Sequence, residues 1–316
     1  MRSGMRDRPL IHVTEHIHPV AASILERNAQ VTYGVDGWSA DTEALIVRNR
    51  RVSEADIHAT PALRVIGKHG AGTDTIDCAA AERAGVTVVA TPGENAPSVA
   101  QHAIAMAFSL IRNLSGHTTA LREGAPLSGQ DRIGKEIDEL SAGILGMGAI
   151  GREVSRILSI FNTSRAAYDP YLPHDRWPTG VRRASSLDEI LASSDLLFVH
   201  MPLTADTRHL LGESAFRKLP QGAYLVNCSR GGIVDEVALA DALASGRMAG
   251  AASDVFETEP PPRDHMLFRQ PNFIATPHLA ASTNLGLERV GRSVVQKVLR
   301  ALGADADRAN RPKEEE

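Results

Sequence analysis

Along the first third of the chain, short aliphatic runs recur between polar stretches: Leu10 to Val13, Ala44 to Val47, Leu63 to Ile66 and Val86 to Ala90. Their alternation with helical stretches predicts parallel α/β sheets. A long apolar helix follows from about Ser98 to Leu114, with Pro97 just ahead of it, where proline suits a helix start. It reads as a connector into a second unit of the same rhythm. The strands predicted there are Ala142 to Leu145, Arg165 to Tyr168, Leu196 to His200, Tyr224 to Asn227, Gly250 to Ser253 and Phe273 to Ala275. A last helix, about Leu285 to Leu302, carries Leu287, Val290, Val294, Val298 and Leu302 at helical spacing and returns the chain to the first unit. The predicted division is therefore a discontinuous domain, 1–97 with 285–316, and an inserted domain of 98–284. The polar tail from Gly303 to Glu316 predicts a solvated, frayed end.

Length supports that division, because 316 residues exceed what one hydrophobic core usually serves. A formal net charge of -4 without any polybasic run argues against nucleic acid or a membrane surface as partner. Cys78 and Cys228 lack metal-ligand spacing and suit free thiols in a reducing cytoplasm, so no metal site is expected. The first nine residues are charged rather than apolar, which predicts neither a signal peptide nor a membrane span. Small-molecule chemistry in the cytoplasm is the class these properties leave.

One motif says which chemistry. Gly146-Met147-Gly148-Ala149-Ile150-Gly151 follows a predicted strand and opens a helix whose Ile150, Val154, Ile157, Leu158 and Phe161 share a face. In that setting Gly146 serves a tight turn, Gly148 lets backbone approach a pyrophosphate, and Gly151 lets helix and strand pack closely. The unpaired amides of the helix N-terminus face the phosphate charge. Asp169 ends the next strand near the roughly 20-residue offset of a ribose-binding acid, which favours NAD over NADP because a carboxylate repels a 2′-phosphate. Arg165 nearby is the one residue that tempers the preference.

Three further segments lie just past predicted strands, the edge at which open α/β sheets bind ligands. Arg230, in Asn227-Cys228-Ser229-Arg230-Gly231-Gly232, offers a planar fork for a substrate carboxylate. Asp254, Glu257 and Glu259 cluster in a loop stiffened by Pro260 to Pro262, and His278 follows the strand ending at Ala275. A carboxylate paired with His278 would fix its tautomer and raise its pKa, so that the ring exchanges a proton with a ketone or hydroxyl oxygen at a hydride-accepting carbon. Singly each residue has a plainer reading as surface charge or satisfied histidine. Arg, acid and His in that order after a dinucleotide motif predict an NAD-dependent oxidoreductase that moves a hydride to or from a carbon next to a bound carboxylate.

The chain also resembles the D-isomer-specific 2-hydroxyacid dehydrogenase family, which includes phosphoglycerate dehydrogenase. Lys68-His69-Gly70-Ala71-Gly72-Thr73-Asp74-Thr75-Ile76-Asp77 is similar to the family's substrate loop. Thr91-Pro92-Gly93-Glu94-Asn95-Ala96-Pro97-Ser98-Val99-Ala100 is similar to its signature before the linking helix. The resemblance implies two doubly wound parallel-sheet domains, a Rossmann cofactor domain inserted in a flavodoxin-like substrate domain, and a homodimer formed through the cofactor domain. It implies Arg230, Glu259 and His278 as catalytic residues, Glu259 rather than Glu257 being the partner of His278. Backbone around Ala71 and Gly72 would hold the substrate carboxylate with Arg230 and His278. The cofactor would be lined by Gly146, Gly148, Ala149, Ile150, Gly151, Asp169, His200, Met201, Pro202, Cys228, Ser229, Arg230, Asp254, His278 and Ala280, Asp254 meeting the nicotinamide carboxamide. Gln101 stands where the family often has Glu, and Glu139-Leu140 where it has Gly-Lys; both positions read as structural.

The substrate is open at its far end. Ile46-Val47-Arg48-Asn49-Arg50-Arg51 is similar to the segment that supplies phosphoglycerate dehydrogenases with an Arg for the distal phosphate, one residue shorter here. Arg48, assisted by Arg50, Arg51 or Lys68, is expected to bind a second anionic group, phosphate or sulfonate, the alternative being a solvated basic turn. His69 is either a solvated loop histidine or a polar contact to substrate. The other readings are a glyoxylate or hydroxypyruvate reductase needing no distal cation, and an NAD-sensing scaffold like the C-terminal binding proteins, for which no peptide-binding feature is visible. No regulatory domain is expected after Ala301.

Overall fold

The computed structural model describes residues 8–126, 129 and 133–304. In chain order, the first stretch contains β1 (Leu10–Val13), α1 (Pro19–Asn28), β2 (Gln30–Tyr33), β3 (Ala44–Val47), α2 (Glu54–His58), β4 (Val65–Lys68), α3 (Cys78–Arg83) and β5 (Thr87–Val89). The middle stretch contains α4 (Ala96–Ile111), α5 (Leu114–Glu123), β6 (Ser141–Leu145), α6 (Ala149–Ile160), β7 (Ser164–Tyr168), β8 (Arg182–Arg183), α7 (Leu187–Ala192), β9 (Leu196–Val199), α8 (Glu213–Lys218), β10 (Ala223–Asn227), α9 (Glu236–Ala244), β11 (Met248–Ser253) and β12 (Phe273–Ala275). The chain closes with α10 (Asn284–Ala301). Two compact units result: one runs up to Asn95 and resumes at Ser282, the other spans Ala96–Ala281. The tail predicted to fray lies, from residue 305 on, outside the described residues.

In the first unit five parallel strands are ordered β2-β1-β3-β4-β5. Because strand side chains alternate, Ala44 and Ile46 of β3 join the core under α1 and α10, while Leu45 and Val47 join the core over α2 and α3. A sheet covered on both faces is why these runs read as unbroken apolar stretches. Each fully buried Ile or Leu among them contributes about 1.5–3 kcal/mol. On α10, Val290, Val294 and Val298 are buried along one face, as the helical spacing predicts.

The second unit holds seven parallel strands in the order β12-β11-β10-β9-β6-β7-β8. Ile144 and Phe198 face the core shared with α4 and α6, and Leu145, Leu197 and Val199 face the opposite core with α7, α8 and α9. The chain leaves β6 toward β7 and β8, then returns to lay β9 on its other side. Reversal of strand order at β6 leaves a crevice at the carboxyl ends of β6 and β9.

Some boundaries differ from the apolar pattern. The strand predicted at Leu63 to Ile66 is β4, Val65–Lys68, because the ladder takes in Gly67 and a buried Lys68, whose ammonium is satisfied by the Arg48 carbonyl and, at 2.8 Å, by the Thr75 hydroxyl. Pro97 is the second residue of α4 rather than the residue before it, and the helix stops at Ile111 before a left-handed Asn113 starts α5. The strand expected to reach His200 ends at Val199. The edge strands β2 and β8 carry mostly exposed residues and so leave no apolar signature.

Candidate active site

The glycine motif forms the turn between β6 and α6. Gly146 has φ of 89°, and a Cβ there would lie 2.5 Å from the carbonyl oxygen of His200, across the crevice at the strand reversal. A Cβ on Gly151 would lie 2.1 Å from the carbonyl oxygen of Gly146, so helix and turn are in direct backbone contact. Gly148, the N-cap of α6, has nothing within 4 Å of where a Cβ would project, and no side chain caps the helix. Open backbone at an uncapped helix N-terminus is a cradle for phosphate. Ala149 is exposed and Ile150 half-buried beside it. Asp169 Oδ2 accepts the amide of Met147 at 2.9 Å and Oδ1 the amides of Tyr171 and Leu172, which places the acid directly over the turn. Arg165 points elsewhere, donating to the carbonyl of Ser155 at 3.0 Å.

His200 follows β9, with Met201 packed into the core and Pro202 exposed. Both ring nitrogens of His200 are buried without a hydrogen-bond partner among the described residues, and burial pushes its pKa down to about 3. A neutral imidazole with unmet hydrogen-bonding capacity at this crevice is what a polar ligand would satisfy.

Parallel pairing sets the carboxyl ends of β10, β11 and β12 side by side, so the loops they feed converge. After β10, Asn227 Oδ1 accepts the amide and hydroxyl of Ser229, and its Nδ2 donates to the Arg230 carbonyl at 3.0 Å. That Asx-type brace shapes the turn presenting Arg230. A Cβ on Gly231 would lie 2.0 Å from the carbonyl carbon of Phe256, so this turn packs against the backbone of the acidic loop. Cys228 is buried, its thiol raised by burial and by the Asp254 charge, which leaves it an inert neutral group.

Within the acidic loop, Glu259 Oε2 and His278 Nδ1 are 2.7 Å apart, and Glu259 Oε1 accepts the amide of Phe256 at 3.0 Å. Burial works to raise the Glu259 pKa, but the hydrogen bonds from His278 and Phe256 and the charges of His278 and Arg230 outweigh it and hold the carboxyl below 4.5. An ionised carboxylate only accepts, so Nδ1 carries the proton and donates, leaving Nε2 for exchange with another molecule. The His278 side chain is 49% exposed, which leaves that nitrogen reachable. Glu257 turns away and pairs with His209 at 2.9 Å.

Asp254 is 1% exposed. Its Oδ1 accepts the Thr276 hydroxyl at 2.5 Å and the Leu279 amide at 2.9 Å, and Oδ2 accepts the amide of the buried Ala280 at 2.9 Å. Its carbonyl takes the His278 amide at 2.8 Å. This carboxylate therefore organises the turn bearing His278. The brace by Asn227 and the part of Thr276 went unread in the sequence, since polar side chains at strand ends have no spacing that distinguishes them from ordinary loop residues.

In the other unit, the segments after β1, β3 and β4 gather at the carboxyl edge of the sheet. Glu15, after β1, accepts the amides of Arg48 at 2.8 Å, Asn49 at 2.5 Å and Arg50 at 2.8 Å, and also the Thr14 hydroxyl. Arg48 donates to Ser282 Oγ at 2.5 Å, Arg50 is paired with Asp36 and Asp56, and Arg51 is exposed. His69 is not solvated: it is 5% exposed, with Nε2 buried and without a hydrogen-bond partner among the described residues, and burial together with the Arg48 charge lowers its pKa to about 4. Ala71 is exposed and Gly72 half-buried in the loop that Thr91 holds through the Gly70 carbonyl. Among the described residues, no helix is long and apolar enough to cross a membrane.

One unit thus holds a glycine turn at an open helix N-terminus and, at the ends of other strands of the same parallel sheet, a His–Glu pair. Residues 104–280 match the family described as D-isomer specific 2-hydroxyacid dehydrogenase, NAD binding domain, and the chain belongs to that family. It is 36% identical over 308 residues to a hydroxypyruvate reductase of Thermotoga maritima, covering 93% of this chain and 98% of that protein. It is 37% identical over 258 residues to a D-3-phosphoglycerate dehydrogenase of Archaeoglobus fulgidus, covering 81% of this chain and 49% of that protein. The chain spans about half the length of the phosphoglycerate dehydrogenases it matches. Among solved structures, a glyoxylate reductase of Paecilomyes thermophila superimposes with a TM-score of 0.84 at 27% identity, over 94% of this chain and 96% of that one. The matched family is that of an NAD-binding domain, which makes NAD the cofactor.

Proposed function

We propose that the protein is an NAD-dependent 2-hydroxyacid dehydrogenase that interconverts a small 2-keto acid and its D-2-hydroxy acid. The observation that carries this reading is the 2.7 Å contact of His278 Nδ1 with an ionised Glu259, beside Arg230 and in the same unit as the glycine cradle. NAD(H), when bound, supplies or takes up the hydride at C2. Gly146, Gly148, Ala149, Ile150 and Gly151 would cradle its pyrophosphate and Asp169 its ribose, with His200, Met201, Pro202, Cys228, Ser229, Asp254 and Ala280 lining the rest. Arg230 would hold the substrate carboxylate. His278 would give the proton on Nε2 to the ketone oxygen as the carbon becomes tetrahedral, and Glu259 would stabilise the ring while it is charged. In the reverse direction Nε2 takes the hydroxyl proton.

The surroundings of Arg48 support a short, uncharged tail of the glyoxylate or hydroxypyruvate kind. Arg50 is answered by two carboxylates, and Glu15 adds negative charge under the backbone of the same segment. A phosphorylated or sulfonated tail is the second reading, favoured by the reach of the Arg48 guanidinium to the carboxyl edge of the sheet. A panel of 2-keto acids followed by NADH absorbance tests both. Turnover of hydroxypyruvate or glyoxylate is expected, and Arg48→Ala is expected to change kcat/KM for such acids by less than about threefold while a bound distal phosphate would make it lose about tenfold or more. NADH binding without turnover of any 2-keto acid would instead indicate the sensing scaffold. A cytoplasmic homodimer completes the proposal. It is supported by α5, which buries none of its side chains and leaves Leu114 and Leu121 exposed.

A further inference from the structure

His102 lies in the first half of α4 and has no part in the chemistry described above. Its Nε2 is 3.0 Å from Thr276 Oγ1 and 3.8 Å from Asp254 Oδ1, with its side chain 20% exposed. The direction of the hydrogen bonds follows from what each group can offer. Asp254 accepts two backbone amides and, when ionised, has no proton to give, so the 2.5 Å contact with Thr276 uses the threonine's only hydroxyl proton. Thr276 Oγ1 is then left with lone pairs alone, and His102 must be the donor, with its proton on Nε2. The result is a directed chain from imidazole N–H to hydroxyl to carboxylate, ending on the amides of Leu279 and Ala280.

The turn at the end of that chain is one that side-chain-bearing residues adopt uncommonly. His278 has φ of 50°, and its neighbours on the C-terminal side are the two residues whose amides the Asp254 carboxylate holds. A left-handed non-glycine residue persists only where its surroundings over-determine it. Thr276 contributes twice, through its hydroxyl and through the carbonyl that takes the His278 amide at 3.1 Å.

We propose that His102 is a positioning residue: by donating to Thr276 it fixes the hydroxyl toward Asp254 and so holds the backbone turn that aims His278. The proposal rests on the role given to His278 above. It makes His102 the link between the α4 helix and the catalytic turn, with orientation rather than proton transfer as its task.

The test compares His102→Leu, which fills the space without a donor, with His102→Gln, whose side-chain amide can reach the same hydroxyl. In the full-length protein, His102→Leu is expected to lower kcat about tenfold or more, with the NADH dissociation constant changed less than about threefold, and His102→Gln to recover most of the loss. Hydrogen exchange of the 278–280 amides is expected to speed up in the Leu variant and return to wild-type rates in the Gln variant. Should His102→Leu not fold, Thr276→Val against Thr276→Ser makes the same comparison, serine keeping the hydroxyl. Wild-type kcat and exchange in His102→Leu would overturn the proposal, as would Gln and Leu variants that are equally impaired. If the wild-type protein turns over no 2-keto acid, the enzymatic reading fails, and the exchange rates still decide whether His102 holds the turn.

Discussion

Both sheets reverse their strand order beside the first strand, β1 in one unit and β6 in the other, and the two reversal points are furnished in opposite ways. After β6 the chain places glycine, leaves the α6 N-terminus uncapped and keeps clear space over Gly148. Two residues past β1 it places Glu15, whose carboxylate collects three successive amides of the 48–50 segment. Backbone amides at a sheet edge attract anions in either case. One unit leaves its helix N-terminus without a side-chain cap, and the other satisfies its amides internally. The same topology therefore yields an open turn or a self-capped edge according to the few residues that follow the first strand.

The largest expected effect lies in the unit with the open crevice. His278→Ala should lower kcat by about 10³-fold, within the range for loss of a general acid or base, while leaving NADH affinity within about threefold. Steady-state rates with fluorescence titration of NADH check this, and near-normal kcat would remove His278 from the chemistry.

Next come two glycines that separate binding from folding. Gly148→Ala enters open space, so thermal stability should be kept while NADH binding weakens by about tenfold, the added methyl standing where phosphate approaches. Gly151→Ala meets the Gly146 carbonyl at 2.1 Å and should lose both binding and stability. Calorimetric melting and NADH titration of the pair distinguish them, and equal loss of stability would erase the contrast.

Glu15→Ala probes the closed edge. It strands three amides and is expected to destabilise the first unit by about 2 kcal/mol, with NADH binding unchanged. The same edge should be acid-sensitive. Burial tends to raise the pKa of Glu15, but the Thr14 hydroxyl and the three amides outweigh it and hold it below 4.5, so its contribution is present above that value and lost as pH falls through the folded pKa. His69, lowered to about 4 from 6.5, acts at milder pH: the unfolded chain takes the proton first, and stability declines from pH 6.5 toward 4. In melting curves at pH 7, 5.5 and 4.5, His69→Gln should flatten the decline between the first two, the smallest of these effects. An unchanged pH slope would mean that His69 is not held neutral.

Legibility in the sequence followed the source of each signal. Strands covered on both faces, such as Ala44–Val47, announce themselves because every side chain is buried. Edge strands such as Gln30–Tyr33 do not, since their stability comes from backbone pairing with one neighbour. Gly146 and Gly151 are readable because backbone crowding admits no other residue at those two positions. The acid partner of His278 was narrowed to Glu259 only by family resemblance, because Glu257 lies two residues away with the same chemistry.

What the chain's order of residues determined was the class of fold, the place of the glycine turn between β6 and α6 and the inventory of chemical groups at strand ends, all local consequences of periodicity and sterics. Pairing was decided only in three dimensions. Which carboxylate meets His278, why Glu15 and not a ligand holds the amides at 48–50, and how His102 reaches a turn 174 residues further on depend on adjacency between separate strands and helices. Hydrogen bonds act over about 3 Å, and sequence separation carries no information at that range.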